Sequence, residues 1–297
     1  MSLSPDIVPL FKELSDLKRI RSAGRDGSIA TRLFEAGWSA YLSGEDIEDV
    51  AERAMAQALA ATRLGDLDYT TLTRLGLEHE EACGVLVGAI QEVGAPLNAW
   101  LMARFETRLD DPLEPGGDLP ECLTALRDQP RAGVTGPGRP RIMLQPEENH
   151  SEHSFIVALY AGLLAPFYNA QPARAFWHGM IHHLHSAAMP DAGYTGEVLL
   201  GDHLDAVIAR ARDLAVAQLP DRAAGLAREH FDIIADDGTP SARAFHAADV
   251  IDRVLEIEQH LKRGAVTMGV VLDDYGLVHD GPVKAFHDTV LRQVALP

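Results

Sequence analysis

Apolar residues recur at helical spacing along almost the whole chain. In residues 7–20, for example, the apolar positions 7, 10, 11, 14 and 17 fall on one face of a helix. Runs rich in valine, isoleucine, threonine and aromatic residues, which are typical of strands, are nearly absent. The pattern therefore predicts an all-α protein.

The predicted helices fall into two groups. The first group covers 7–20, 28–42, 46–64, 78–93 and 97–109, with Asp46 as an N-cap and with Gly44 and Gly65 as C-terminal stops. The second group covers 151–168, 173–188, 204–219, 223–234, 241–263 and 282–294, and we expect residues 190–201 to form a loop. The apolar face of the alanine-rich segment 47–62 suits core packing, with a homodimer contact as the alternative.

Residues 110–146 are rich in proline and glycine and separate the two groups. They include Gly136-Pro-Gly-Arg-Pro, which is typical of a loop, and one short helix is expected at 119–127. We therefore predict three parts, which are an N-terminal helical region at 1–110, a linker or loop at 111–146 and a second helical domain at 147–297.

Charge and composition exclude several classes of partner. The chain has 26 lysines and arginines against 44 acidic residues, so its net charge is −18 with histidine neutral. Such a surface repels polyanions, so we expect neither a nucleic-acid duplex nor a membrane as partner. Cys83 and Cys122 form no CxxC pair, and no run of 18 apolar residues occurs, so the sequence predicts a cytoplasmic protein without a membrane span.

Histidines are concentrated in one part of the chain. Seven of the 13 lie within residues 150–203, and neutral imidazole is the commonest metal-ligating side chain. On the predicted helix 173–188, His178, His182 and His185 share one face, and His183 lies about 100° further round. The spacing therefore predicts a metal site at this helix.

Two further segments carry candidate ligands. His150 and His153 stand at the polar start of an otherwise apolar helix, where they can serve a site at the edge of the core. Asp249 lies between alanines and a valine. A carboxylate with such neighbours is expected to be paired, capping or metal-bound, because burying a bare charge is costly.

The order of these residues resembles the HD-domain superfamily of metal-dependent phosphohydrolases. The resemblance rests on His153 before an apolar helix, on the doublet His182-His183 after an apolar stretch, and on Asp249 in a later helix. Its spacing is most similar to the 5′-deoxynucleotidase branch, and it covers residues 147–260. It implies an HD-domain-like helical bundle, to which residues 1–110 add a further helical region.

The resemblance also implies a metal site. The family holds its metal with a first histidine, a consecutive His-Asp pair and a distant aspartate, which correspond to His153, His182, His183 and Asp249. His183 stands where the family has aspartate, and this exchange removes a negative charge and a bridging carboxylate. Three histidines and one aspartate suit one divalent transition metal, namely Fe, Zn, Co, Ni or Mn, better than Mg²⁺.

Six other residues are candidates for roles around the metal. The candidates for contacts with a small anionic substrate are His150, His203 and Arg19. The candidates for catalytic roles, including general acid and general base, are Asp191, Glu197 and His185. Each also has an ordinary structural explanation, such as turn chemistry at Asp191 or solvation of a surface histidine.

Three functional hypotheses follow. The first is a metal-dependent phosphohydrolase that acts on a small phosphate ester such as a nucleotide. The second is an iron-dependent oxygenase on the same scaffold, in which further histidines bind a second iron. The third, which the altered doublet motivates, is a non-catalytic HD module that binds metal or a small ligand.

Overall fold

The computed structural model describes residues 3–261 and 267–297. Within these ranges the chain forms fourteen α-helices and no strands, which confirms the all-α prediction. The helices are α1 (Val8–Ser15), α2 (Ile29–Leu42), α3 (Ile47–Leu64), α4 (Tyr69–Arg74), α5 (His79–Val93), α6 (Ala99–Glu106), α7 (Glu121–Asp128), α8 (His150–Leu164), α9 (Pro172–Ile181), α10 (Gly193–Leu200), α11 (Leu204–Val216), α12 (Asp221–Ile233), α13 (Pro240–Leu261) and α14 (Lys284–Gln293).

The N-terminal helices largely follow the predicted pattern. Asp46 caps α3, because its side chain accepts a hydrogen bond from the Glu48 amide at 2.8 Å. Gly44 and Gly65 end α2 and α3 with positive φ angles of 112° and 55°, a conformation that favours glycine. The predicted helix 7–20 is broken into α1 and a following 3₁₀ turn, Asp16–Lys18. The apolar face of α3 packs against α2, α5 and α9, so core packing is its role.

Two predictions in the second half were wrong. The predicted helix 173–188 ends at Ile181, and the chain turns at His182 and His183 before a 3₁₀ turn, Leu184–Ala187. The predicted loop 190–201 contains α10, which begins at Gly193. The Asp191 side chain accepts a hydrogen bond from the Gly193 amide at 2.8 Å at this helix start. The glycine signal therefore marked a turn at the helix start and not a long loop. The predicted end of the helix 241–263 lies outside the described residues.

Helix α8 is the centre of the molecule. Every residue from His150 to Leu164 is buried, and α8 packs against α9, α13 and α2. After its polar start, α8 is apolar on all sides, and such a segment needs complete cover. Trp38 of α2 meets Trp177 of α9 with ring centroids 5.1 Å apart, so both groups of helices contribute to one continuous apolar core. The division into three parts at 110 and 146 stays a prediction.

Helices α8 and α9 approach each other unusually closely at Gly179. A Cβ atom at this position would lie 2.3 Å from the backbone of Ala158, so only glycine fits without a shift of one helix. This contact sets the distance between the start of α8 and the end of α9. Within the described ranges, none of the helices combines the length and the hydrophobicity that a membrane span requires.

Candidate metal centre

Two imidazole rings face each other at the junction of α8 and α9. The Nε2 atoms of His153 and His182 are 3.2 Å apart. His153 Nδ1 donates to an oxygen of Asp252 at 2.8 Å, and His182 Nδ1 donates to the Gly179 carbonyl at 2.6 Å. Because each Nδ1 carries the proton, both Nε2 atoms present lone pairs to the same point. Two lone pairs at this distance repel each other unless a cation lies between them, so the geometry fits a metal ion.

The helix ends hold these rings in place. The amide of Glu152 donates to the Asn149 side chain at 2.9 Å, and the Glu152 carboxylate accepts from the Asn149 amide at 3.0 Å, so a capping box fixes the start of α8. His182 follows the last residue of α9, where its ring satisfies a carbonyl that the helix leaves without a partner. Caps at two helix ends therefore aim the two rings.

Helix α13 brings Asp249 to the same point. One oxygen of Asp249 lies 3.5 Å from His153 Nε2, and the other accepts from Arg253 at 2.9 Å. Burial is the largest single influence and would raise the pKa of Asp249, but the charge of Arg253 acts together with the nearby rings of His153 and His182 to hold that pKa well below the ordinary value. The carboxylate is therefore ionised and available as a ligand.

His183 completes a group of three histidines whose ligand atoms lie within 4.8 Å of one another, the other two being His153 and His182. Its Nδ1 is 3.3 Å from Ser186 Oγ, and its Nε2 is 3.5 Å from Nη1 of Arg131. Burial lowers the pKa of His182 to about 3 and lowers that of His183 well below its ordinary value. Both rings are neutral near pH 7, which is the form that binds metal.

Four of the other predicted site residues lie around this centre. The ring of His150 lies beside that of His183, with centroids 4.7 Å apart and planes tilted by 55°, and its Nε2 is 3.7 Å from an oxygen of Asp191. The ring of His185 also lies near that of His183, with 5.3 Å between the centroids. Glu197 is half-buried beside the histidines, and burial raises its pKa.

Two predicted site residues do not join the centre. Arg19 bonds Glu256 at 2.5 Å and the Ser15 carbonyl at 3.3 Å, in a different depression of the surface. His203 is exposed in the 3₁₀ turn after α10 and lines neither cavity at the centre.

The prediction that His178, His182 and His185 share one helix face was wrong. Helix α9 ends at Ile181, so only His178 lies within it. His178 instead contacts Ser241 Oγ at 3.0 Å.

Sequence reasoning missed several charged residues at the centre. Arg131 and Arg253 line the cavity beside the histidines, and Asp252 anchors His153 from behind. Asp252 follows Asp249 by three positions on α13, so helical spacing places it on a neighbouring part of the same face. Arg131 carried no comparable signal, because it lies in the irregular segment before α8.

Two neighbouring cavities, which share several lining residues, lie at the centre. The smaller, of about 220 Å³, is lined by polar groups that include Arg131, His153, His183 and Asp191. The larger, of about 630 Å³, is lined by residues that include His182 and His185. His183, Glu197 and Arg253 line both cavities, so the ring of His183 and the two charged groups stand at the junction between them.

Fold and geometry thus define an all-α protein with a centre of histidine and carboxylate groups that could hold a metal. The sequence profile of the HD domain family matches residues 123–275, which are 153 of the 297 residues. The chain therefore belongs to the HD domain family, which comprises metal-dependent phosphohydrolases. No match was found among curated proteins or among solved structures.

Proposed function

We propose that the protein is a metal-dependent phosphohydrolase that acts on a small phosphate ester such as a nucleotide. The observation that carries this proposal is the pair of facing Nε2 atoms of His153 and His182, with Asp249 beside them and a cavity lined by two arginines in front. Membership of the HD domain family supports the same class of reaction.

The donor set fits one divalent transition metal. His153 and His182 offer their Nε2 atoms, Asp249 offers a carboxylate oxygen, and His183 stands close enough to add a third nitrogen. Such mixed nitrogen and oxygen sets suit Zn, Fe, Co, Ni or Mn. When bound, the metal would polarise a phosphoryl oxygen and lower the pKa of a water molecule towards neutrality.

The arginines supply the phosphate recognition in this proposal. The side chains of Arg131 and Arg253 are 22% and 25% exposed, so both remain accessible from the cavity while their positions are held by carboxylates. A guanidinium group presents paired donors that match two phosphate oxygens. Because carboxylates also line this cavity, the positive charge that attracts a small anion would come from these two guanidinium groups together with the bound metal.

Glu197 is the candidate proton donor of this proposal, and Asp191 is a fixed carboxylate beside it. Because burial raises the pKa of Glu197, its carboxyl group holds a proton more readily than an exposed glutamate and can donate it to a leaving oxygen. Asp191 accepts hydrogen bonds from the amides of Ala132 at 2.9 Å and Gly193 at 2.8 Å. This fixed carboxylate faces His150, whose two buried ring nitrogens have no hydrogen-bond partner within the described residues.

A combined metal and substrate assay tests the proposal. The element bound to the purified protein is measured first, and the metal-loaded protein is then assayed for phosphate release from a panel of nucleotides and other phosphomonoesters. We expect one transition metal per chain and release from at least one substrate. Full metal occupancy without any release would contradict the proposal, and two irons with an oxygen-dependent optical change would favour the oxygenase.

A matched pair of arginine variants tests the phosphate site. Arg131→Gln removes a guanidinium group from the cavity, so we expect KM to rise about tenfold or more, in line with the loss of a charge-assisted hydrogen bond. Arg139→Gln removes an exposed arginine of the same segment, which pairs with Asp274 at 3.4 Å, and should leave KM unchanged. An equal effect of both variants would contradict this assignment.

A further inference from the structure

Lys18 lies in the 3₁₀ turn after α1, far outside the residues that match the HD domain family. Its side chain is nevertheless 2% exposed and reaches the back of the metal centre. The Nζ atom is 2.5 Å from Glu148, 2.7 Å from Asp252 and 3.2 Å from Glu256. The ammonium group donates hydrogen bonds to Asp252 and Glu256 and forms an ion pair with Glu148, so it neutralises part of the charge of three buried carboxylates.

Asp252 connects this ammonium group to the metal centre. Its Oδ1 atom accepts from Lys18, and its Oδ2 atom accepts from His153 Nδ1 at 2.8 Å. The carboxylate is therefore held at both oxygens, and its orientation determines which nitrogen of His153 carries the proton. Groups of this kind behind a ligating histidine fix its tautomer and its direction.

We propose that Lys18 is a positioning residue of the metal centre, which fixes Asp252 and through it presents His153 Nε2 to the metal. The N-terminal region thereby completes a centre whose direct ligands all come from the HD domain. The inference rests on the metal site proposed above.

Charge and position predict opposite effects when Lys18 is removed. If its ammonium group acted only through its charge, its loss would leave the surroundings more negative and would strengthen the binding of a cation. If Lys18 acts by holding Asp252, its loss frees that carboxylate to rotate away from His153, and metal binding weakens. The direction of the change therefore separates the two roles.

The experiment is a titration of the metal-free full chain with Co²⁺. Binding is measured by calorimetry and by the visible absorption of the bound ion. In Lys18→Met we expect the affinity to fall by about 10–100-fold, as for other groups behind a metal ligand, with a changed absorption spectrum and an unchanged helical circular dichroism signal. Lys12→Met is the matched control. Lys12 also pairs with a glutamate of α13, Glu258 at 2.7 Å, but that pair is half-exposed and away from the centre, so Co²⁺ binding should match the wild type.

A charge-compensated variant keeps the test decisive if Lys18→Met folds poorly. Lys18→Met combined with Glu148→Gln removes one positive and one negative charge, leaves Asp252 unsupported, and should show the same loss of affinity. Adding Asp252→Asn to Lys18→Met should cost little more, because both changes break one connected chain of contacts.

Three results would overturn the inference. Binding of Co²⁺ by folded Lys18→Met as tightly as by the wild type, or more tightly, rules out a positioning role. Binding of two ions per chain with the first affinity unchanged rules it out as well. Absence of Co²⁺ binding in the wild-type chain would overturn the metal centre itself and the proposed function with it.

Discussion

At the scale of single residues, each ring of the facing pair uses one nitrogen to bind the protein and offers the other. His153 is held by Asp252 and His182 by the Gly179 carbonyl. Removing the His153 ring takes away one of the two facing lone pairs. His153→Ala should therefore weaken metal binding by more than the roughly 10–100-fold expected for a group behind a ligand, as measured by calorimetry on the metal-free protein.

The control for this prediction is a histidine from the same stretch of sequence. His203→Ala removes an exposed ring that lines neither cavity, so the metal affinity and stoichiometry should stay at the wild-type values. A loss of bound metal in His203→Ala would show that the centre extends further than the structure places it.

His230 makes a prediction about acid sensitivity. Its ring is buried against His178 with centroids 4.4 Å apart, and burial lowers its pKa to about 4. The unfolded chain takes up this proton near pH 6.5, whereas the folded chain does not, so stability falls as the pH falls from 6.5 towards 4. The different protonation of His230 in the two states should lower the free energy of unfolding by about 2 kcal/mol when the pH falls from 7.5 to 5.

The measurement is urea unfolding at both pH values in the wild type and in His230→Phe. The phenylalanine ring has a similar shape and cannot take up a proton, so the variant should lose about 2 kcal/mol less stability on acidification. Equal losses in the two proteins would show that the burial of His230 does not govern its protonation.

Residue chemistry could be predicted from the sequence only in part. The histidine doublet, His153 and Asp249 stand out by their spacing. By contrast, nothing in the sequence shows whether Lys18 or Arg19 reaches the centre. Lys18 is the last residue of a 3₁₀ turn and Arg19 follows it, so a shift of one residue decides which side chain points inwards. The sequence pattern favours Arg19 as a site residue, whereas the structure directs Lys18 to the centre.

At the scale of helices, the crossing of α8 and α9 depends on Gly179. An added methyl group would lie 2.3 Å from the Ala158 backbone, so one helix must move. Gly179→Ala should destabilise the protein by about 1–3 kcal/mol, the usual cost of overpacking, and should separate His153 from His182. We expect a lower melting temperature together with weaker Co²⁺ binding.

Gly84→Ala provides the opposite case. Gly84 lies within α5 with nothing within 4 Å of an added Cβ, so alanine gains helix propensity without a clash. The free energy of unfolding of the Gly84→Ala variant should rise by about 0.5–1 kcal/mol, with no change in metal affinity. If both glycine variants shifted stability in the same direction, the close contact at Gly179 would not be the cause.

Most helices could be predicted from apolar spacing, but the end of α9 could not. The apolar pattern continues past Ile181, and the helix stops because the His182 ring bonds the carbonyl of Gly179 in place of a further turn. A side chain that satisfies the last carbonyls ends a helix without the usual glycine or proline signal. The same contact aims the ring at the centre, so the unpredicted turn belongs to the site.

At the scale of the whole molecule, the centre joins three helices that are distant in sequence, α8, α9 and α13. A metal bound there links them only in the folded state. At a free metal concentration of 100 times Kd, it should add about 2.7 kcal/mol to the free energy of unfolding. Adding EDTA should therefore lower the melting temperature of the wild type, while His153→Ala should already melt at the lower temperature and respond little. If EDTA lowered the melting temperatures of the wild type and of His153→Ala by similar amounts, the stabilising metal would lie elsewhere.

The overall fold was predictable to different degrees in its two halves. The order of His153, the doublet and Asp249 indicated an HD domain, and the family match to residues 123–275 confirms it. The N-terminal helices carried no motif, and their role depends on contacts such as Lys18 to Asp252, which are 234 positions apart. Periodicity shows which face of a helix is buried, but it does not show which other helix covers that face.

The complete burial of α8 has a consequence for how the protein forms during translation. The ribosome releases α2 before α8, but α13, which covers another side of α8, follows about a hundred residues later. At a synthesis rate of about 5–20 residues per second, α8 waits several seconds for this partner with apolar surface uncovered. Newly made chains should therefore depend on chaperones during that interval, and they can take up metal only once Asp249 has left the ribosome.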